Sequence, residues 1–348
     1  MSKKYNVAVM GATGAVGTEF LRILEERKFP VADLRLLASS RSRGKKLFFD
    51  NKEYVVEELT RDSFEDIELV LASAGAARSK EFLPGAVKAG AVCVDNSSAF
   101  RMEQDVPLCV PEVNPGSVKG HRGIIANPNC STIQMVVALA PIHRAAGIKR
   151  VVVSTYQSVS GAGQKKVAEL AEQAETLSGK DRFFEVGRHA AAESAIREFN
   201  HQIAYNLIPH IDVFLDNGYT REEMKMVLET RKIMGEPGMA ITATAVRVPV
   251  FYAHSESINI VTDRKVTPEE VKGILRASSG VTVVDDFRTA SYPMPIHAEG
   301  RDEVFVGRIR EDESCKNGIN LWVVSDNLRK GAALNAIQIA ELLYGISA

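Results

Sequence analysis

The sequence predicts an α/β protein, with a doubly wound parallel sheet first and an α+β domain on a mixed sheet after it. Three observations carry this. Strand and helix patterns alternate through the first half, the order that a parallel sheet with crossover helices requires. A glycine turn, Gly11-Ala12-Thr13-Gly14-Ala15-Val16-Gly17, separates the first strand from the first helix. From Val151 onward the character shifts to β-branched strands with fewer helices between them. A length of 348 residues accommodates two domains with ample core. The formal charge of −1 argues against nucleic acid or an anionic membrane surface as the main partner. No apolar run is long enough to cross a bilayer. Met1-Ser2-Lys3-Lys4-Tyr5 leads into a strand pattern and not into a signal peptide's apolar region. The cysteines, Cys93, Cys109, Cys130 and Cys315, show no CxxC pairing and no metal-ligand spacing with histidine. No metal site is expected, and a reducing cytoplasm fits such cysteine usage. Cys93, inside Ala91-Val92-Cys93-Val94, is expected in a strand core.

Taken in order, Tyr5 to Met10 reads as a buried strand, and Phe20, Leu21 and Leu24 mark the helix after the glycine turn. Strand, glycine turn and helix form a Rossmann-like opening. Gly11, Gly14 and Gly17 let the backbone turn tightly and approach a pyrophosphate at the helix start, with Thr13, Ala15 and Val16 between them. The spacing is GxxGxxG and not the commoner GxGxxG. A second strand, Asp33 to Ala38, ends in Ser39-Ser40-Arg41-Ser42-Arg43-Gly44-Lys45-Lys46. An NAD site usually places Asp or Glu here for the ribose 2′-OH. Hydroxyls and positive charge suit a 2′-phosphate, so NADP is the expected cofactor, with Ser39, Ser40 and Arg41 near that phosphate. A solvated basic loop is the competing reading, and the upstream glycine turn weighs against it.

Glu68 to Ala74 is the next strand, passing Ser73, with a helix expected from Ser79; Ala91 to Asp95 follows. Loops at the carboxyl ends of parallel strands line the ligand crevice. Gly11, Ser40, Ser73, Asn96 and Asn129-Cys130 are therefore expected around one mouth. In Asn127-Pro128-Asn129-Cys130-Ser131-Thr132, Pro128 biases Asn127 toward extended backbone and Asn129 is a good N-cap. Ile133, Val136, Val137 and Ala140 recur at helical spacing. Cys130 thus falls in a first helical turn, where unpaired N–H groups and the dipole favour a thiolate. Local context leaves a nucleophile and a small buried cysteine equally open, and convergence on the mouth tips the balance toward chemistry.

In the second half, Val151 to Tyr156 is a strand, followed by the loop Gln157 to Gly163 and a helix opened by Gln164-Lys165-Lys166. Residues Asn206 to Asp212 read as irregular. Thr220 and Glu223 form a capping box; Glu222 and Lys225 follow on one face, which the spacing alone predicts to be exposed. Ile241 to Val250 is a strand carrying Arg247 as its one charge, and a buried arginine usually has a carboxylate partner. A lone histidine such as His254 is usually structural. Ser257 to Val261 alternates as a strand, Val266 to Ala277 is a helix, and Gly280 to Val284, Glu303 to Ile309 and Asn320 to Val324 are strands. One apolar helix runs from Asp326 to Tyr344 and is expected to pack on the first domain.

These motifs together resemble the aspartate-β-semialdehyde dehydrogenases over essentially the whole length. The resemblance rests on GATGAVG at Gly11 to Gly17, SSRSRGK at Ser39 to Lys45, DNSSAFRM at Asp95 to Met102 and VPEVN at Val110 to Asn114. It continues in NPNCST at Asn127 to Thr132, YQSVSGAG at Tyr156 to Gly163, REEMK at Arg221 to Lys225, RVPVFYAHSE at Arg247 to Glu256 and SDNLRKGAA at Ser325 to Ala333. The resemblance implies Cys130 as nucleophile, His254 as general acid/base and Gln157 as the group orienting the acyl carbon. It implies Arg101, Lys225 and Asn129 at the phosphate, Arg247 at the substrate carboxylate and Glu222 at its amino group. Ser160, Gly161 and Asn327 would approach the nicotinamide half of NADP. It further implies a homodimer, paired into tetramers in some members, and a role in making lysine, threonine and methionine. The domains are drawn as 1–128 for NADP, completed by helix 328–348, and 129–327 for catalysis and dimerisation. The rival readings are a related reductase acting on N-acetylglutamyl phosphate and a non-catalytic NADP-binding paralogue. Glu222 beside Arg247 favours a free amino acid over the first, and the presence of both Cys130 and His254 weighs against the second.

Overall fold

The first strand, β1 (Tyr5–Met10), is apolar on both faces and buried almost throughout, as a strand inside a covered parallel sheet must be. In the computed structural model, which describes residues 3–178 and 196–346, it is followed by α1 (Ala15–Glu26), β2 (Val31–Ala38), β3 (Lys46–Phe49), β4 (Lys52–Val55), β5 (Glu57–Glu58), β6 (Leu69–Ala72), α2 (Ala76–Lys88), β7 (Val92–Asp95), β8 (Ile124–Ala126) and α3 (Cys130–Ala146). The main sheet has the order β5-β2-β1-β6-β7-β8, and all its pairings are parallel. Its strand order reverses between β1 and β6, which is where such folds open a ligand crevice. β3 and β4 form a separate antiparallel hairpin. The alternation of β1 divides its side chains between two cores. Val7 and Val9 pack with Phe20 and Leu24 of α1 and with Ile337 and Ala340 near the C-terminus. Ala8 and Met10 pack with Phe82 and Leu83 of α2. α2 begins at Ala76, earlier than Ser79, because Gly75 at φ +88° turns the chain directly into the helix.

The chain divides into two compact units, one of Met1–Val137, Leu228–Pro237 and Leu328–Ala348, the other of Ala138–Val227 and Gly238–Asn327. The second contains β9 (Ile148–Gln157), α4 (Gln164–Leu177), the start of α5 (Arg221–Met234), β10 (Ala240–Arg247), β11 (His254–Thr262), α6 (Pro268–Arg276), β12 (Val281–Val283), α7 (Pro295–Ala298), β13 (Val304–Asp312) and β14 (Gly318–Ser325). Its sheet is mixed, in the order β10-β9-β11-β14-β13-β12. β10 runs parallel to β9 and β12 parallel to β13, and the other pairings are antiparallel. β10 stops at Arg247 and not at Val250, since Pro249 has no N–H to extend the ladder. The registers Arg247↔Gln157 and His254↔Ser325 bring the ends of β9, β10 and β14 and the start of β11 to one edge.

The expected single helix from Asp326 to Tyr344 is two pieces: a π-helical turn at Arg329–Ala333, then α8 (Leu334–Tyr344). The wide turn carries two successive cations that are both buried. Arg329 reaches Glu19 at 2.9 Å and Glu26 at 2.6 Å. Lys330 Nζ donates to Glu112 Oε2 at 2.6 Å, Asn335 Oδ1 at 2.9 Å and Gln338 Oε1 at 2.7 Å. Removing one partner of a buried ion pair leaves the other charge uncompensated, so Lys330→Ala should cost about 3–5 kcal/mol in urea unfolding. Lys330→Met/Glu112→Leu should recover much of that loss, and a loss under about 1 kcal/mol for the single variant would show that the pair does not hold the turn.

Candidate active site

In the first unit the glycine turn is closed so tightly that side chains are excluded. Gly11 lies at φ +91°, and a Cβ there would stand 2.5 Å from the Ser73 carbonyl oxygen. A Cβ on Gly17 would stand 2.1 Å from the Gly11 carbonyl oxygen. α1 starts from Gly14 as N-cap, with no side chain closing its first turn, so the N–H groups of Ala15, Val16 and Gly17 mark the positive end of its dipole. A cleft of about 390 Å³ is lined by Gly11, Thr13, Gly14, Ser39, Ser40, Arg41 and Ser73, with Arg78 and Glu58 at its wall. Close backbone, a helix start and a basic hydroxyl loop fit a dinucleotide phosphate. Arg78 and Glu58 were not among the sequence candidates: each is one charge among many on surface elements.

Cys130 opens α3 and is half-buried, with its thiol 3.5 Å from Asn129 Oδ1. The turn before it is held at both ends. Asn127 Nδ2 donates to Asn96 Oδ1 at 2.7 Å and to the Ala332 carbonyl at 3.1 Å, while Asn335 Nδ2 donates to Asn127 Oδ1 at 2.7 Å. The Asn129 N–H donates to Glu229 Oε2 at 2.6 Å. The other oxygen of that carboxylate accepts from Arg101 Nη1 at 3.0 Å, and Arg101 Nη2 donates to the Asn96 carbonyl at 2.9 Å. Asn96 Nδ2 in turn reaches Ser73 Oγ at 3.4 Å. The other cysteines lack this setting. Cys93 and Cys109 are buried, and burial pushes both thiols up, Cys109 to about 11. Cys315 is exposed on a turn beside Asp312.

In the second unit, the convergent strand ends gather the remaining candidates. Gln157 ends β9, Arg247 ends β10 and His254 starts β11. The His254 ring is fully buried, and its Nδ1 accepts the Ser158 N–H at 3.1 Å with Ser158 Oγ at 3.0 Å. An acceptor at Nδ1 places the proton of the neutral ring on Nε2. Burial, followed by the positive charge of Arg247, pushes the imidazole pKa down to about 3. Gly161 lies against the ring edge, where a Cβ would stand 3.1 Å from Nε2. Asn327 Oδ1 accepts from the Ala253 N–H at 3.0 Å and from Ser158 Oγ at 3.1 Å, and its Nδ2 donates to Ser160 Oγ at 3.0 Å. Arg247 Nη1 donates to the Ser158 carbonyl at 2.7 Å.

The α5 face is not exposed, contrary to its charge spacing. Glu222 retains 5% exposure and accepts from Gln157 Nε2 at 3.1 Å. Lys225 Nζ bridges Glu222 Oε2 at 3.0 Å and Asp212 Oδ2 at 2.9 Å. The cause is the capping box. Glu223 Oε2 accepts the Thr220 N–H at 2.7 Å and Thr220 Oγ1 accepts the Glu223 N–H at 3.3 Å. Glu223 Oε1 also accepts the Ala245 N–H at 2.9 Å, which fastens the helix start to β10 and turns Glu222 inward. Sequence reading missed Ser158, Asp212, Glu229 and Asn335. A signal existed only for Glu229: Glu222, Lys225, Glu229 and Lys232 recur at helical spacing along one stripe of α5.

Comparison with known proteins follows the same division. The chain matches the family models for the semialdehyde dehydrogenase NAD binding domain over residues 6–121 and the semialdehyde dehydrogenase dimerisation domain over residues 139–330. It is 56% identical to the aspartate-semialdehyde dehydrogenase of Aquifex aeolicus, over 97% of this chain and 98% of that one. It is 51% identical to that of Bacillus subtilis, over 99% and 98%. The structure of aspartate semialdehyde dehydrogenase II from Vibrio cholerae complexed with ASA superposes with a TM-score of 0.92 at 48% identity, covering 98% of each chain. That of aspartate semialdehyde dehydrogenase with NADP from Candida albicans gives 0.74 at 28% identity, covering 99% of this chain and 100% of that one. Among the described residues no helix is long and apolar enough to cross a membrane.

The His254 environment predicts its protonation. The unfolded chain binds this proton near pH ~6.5. The folded ring binds it only near 3, so stability is lost as pH falls from the first value toward the second. In nitrogen-15 NMR of the ligand-free protein, His254 should show the neutral Nε2–H pattern at pH 7 and no titration between pH ~8 and ~5. An imidazolium signal at pH 7 would contradict the assigned tautomer.

Proposed function

The chain belongs to the aspartate-semialdehyde dehydrogenase family, and from that premise we propose that it carries out the NADPH-dependent reductive dephosphorylation of L-aspartyl-4-phosphate to L-aspartate 4-semialdehyde, reversibly. The observation that carries this is the set of buried groups beside His254: the Glu222 carboxylate, the Arg247 guanidinium and the Gln157 amide. A carboxylate for an ammonium and a guanidinium for a carboxylate are the recognition chemistry of a free amino acid. An N-acylated substrate carries no ammonium to set against the Glu222 carboxylate.

The Cys130 thiolate attacks the acyl phosphate carbonyl, the bond to the phosphate oxygen breaks, and a thioester remains on the sulfur. Arg101 and Lys225 take up the charge of the departing phosphate, with Asn129 beside it. Gln157 orients the acyl group. NADPH supplies the hydride when bound, held by the Gly11 to Gly17 turn, by Ser39, Ser40 and Arg41 at the 2′-phosphate, and by Ser73, Ser160, Gly161 and Asn327. As charge builds on the former carbonyl oxygen, N–H groups at the start of α3 and the Nε2–H of His254 donate to it. A neutral imidazole is a competent donor to an oxyanion when its pKa is held low. The carbon–sulfur bond then breaks and the thiolate leaves with the semialdehyde. A serine would form an ester, a weaker hydride acceptor with a poorer leaving group. The match to a dimerisation domain supports a homodimer, and pairing into a tetramer is compatible with it. The reading assigns the protein to the cytoplasm and to the route to lysine, threonine and methionine.

Cys130→Ser should lose nearly all phosphate-dependent NADP reduction with aspartate semialdehyde while still binding NADP, and substantial retained turnover would sink the reading. For His254→Asn a loss of ~10²–10⁴ in kcat is the scale expected on removing a proton donor. The same assay with NAD in place of NADP measures the cofactor preference, which should favour NADP.

A further inference from the structure

We propose that Glu229 is a positioning residue that holds the phosphate-binding arginine and the turn before the nucleophile in one rigid frame. Its side chain is 2% exposed. Each carboxylate oxygen serves a different partner. One accepts the Asn129 N–H at 2.6 Å, one residue before Cys130, and the other accepts Arg101 Nη1 at 3.0 Å. A single planar carboxylate therefore fixes the guanidinium relative to the first turn of α3. The second guanidinium anchor, Nη2 on the Asn96 carbonyl, sets its plane. Arg101 is 7% exposed, yet its Nε makes no hydrogen bond among the described residues. The clamp thus leaves guanidinium donors over for an anion. Charge follows the same logic. A bare carboxylate at a helix start would oppose a thiolate, whereas one neutralised by arginine does not. A glutamate is needed because glutamine offers one acceptor and one donor, and both partners here are donors.

The inference rests on the functional reading above, in which Arg101 meets phosphate, and the experiment separates the two. Phosphate is varied in the semialdehyde-oxidising direction for the parent, Glu229→Gln, Arg101→Met, the double variant and Lys232→Met. Lys232 is the structural control. It sits one turn further along α5 and donates to the carbonyls of Arg101, Glu103 and Val106 at 2.8, 2.7 and 2.9 Å, with no hydrogen bond to Glu229 among the described residues. Glu229→Gln should raise the phosphate KM roughly 10-fold or more, with NADP affinity unchanged. Since Glu229 acts on phosphate through Arg101, the double variant should be no worse in phosphate KM than Arg101→Met alone. Lys232→Met should lower the unfolding temperature and leave the phosphate KM within about twofold. Glu229→Asp, which keeps the charge but cannot span both partners, should give the same rise and serves if the glutamine variant does not fold. A parent without phosphate-dependent reduction overturns the functional reading. A parent with it, together with a phosphate KM within about twofold in both Glu229 variants, or an equal rise in Lys232→Met, overturns the role of Glu229 alone.

Discussion

The backbone N–H of Asn129 ends on a buried carboxylate, at 2.6 Å from Glu229 Oε2, and the turn that presents Cys130 depends on that bond. A helix start needs its first N–H groups turned toward something, and Pro128 just before it removes one donor and stiffens the approach. With Asn127 tied to Asn96, the Ala332 carbonyl and Asn335, and Asn129 to Glu229, the residues on both sides of Pro128 are pinned by groups from distant stretches of chain. Such a network is expensive to bury, and its return is a fixed geometry more than stability.

The second unit solves a comparable problem around His254 with neutral groups. Ser158 sets the ring tautomer from its N–H and hydroxyl, and Asn327 gathers Ser158, Ser160 and the Ala253 N–H onto one amide. Ala253 sits at φ +66°, a strained conformation for alanine that the Asn327 bond helps to hold. Nδ1 faces the Ser158 N–H and hydroxyl, whereas a carboxylate in that place would raise the imidazole pKa. Charge sits instead on the neighbours: Arg247, which donates to the Ser158 carbonyl, lowers the ring's proton affinity, and Glu222 accepts from both Gln157 and Lys225.

Much of the fold was legible because local chemistry determined it. Gly11 and Gly17 announce a turn that no side chain can enter, the Thr220–Glu223 box announces a helix start, and alternating apolar strands announce the parallel sheet. What stayed hidden was set by partners far away in sequence. Glu222 and Lys225 have the spacing of a solvated face, and only the Glu223 bond to Ala245 turns that face inward. Glu229 is separated from Asn129 by a hundred residues, so its place in a charged stripe of α5 marks a helix face and not the partner it meets. The π-helical turn at Arg329–Ala333 is invisible for the same reason, since Glu19, Glu26 and Glu112 decide that both cations are buried. Ser158 lies within the YQSVSGAG motif, yet its bond to His254 cannot be inferred from sequence distance.

The two ways of handling charge have different consequences for the proposed chemistry. A guanidinium held against a carboxylate, as Arg101 is against Glu229, presents a planar fork of donors of fixed orientation. A buried neutral imidazole keeps one state across the neutral range, because its protonation is displaced toward pH 3. The ring then needs no change of protonation before the reaction starts.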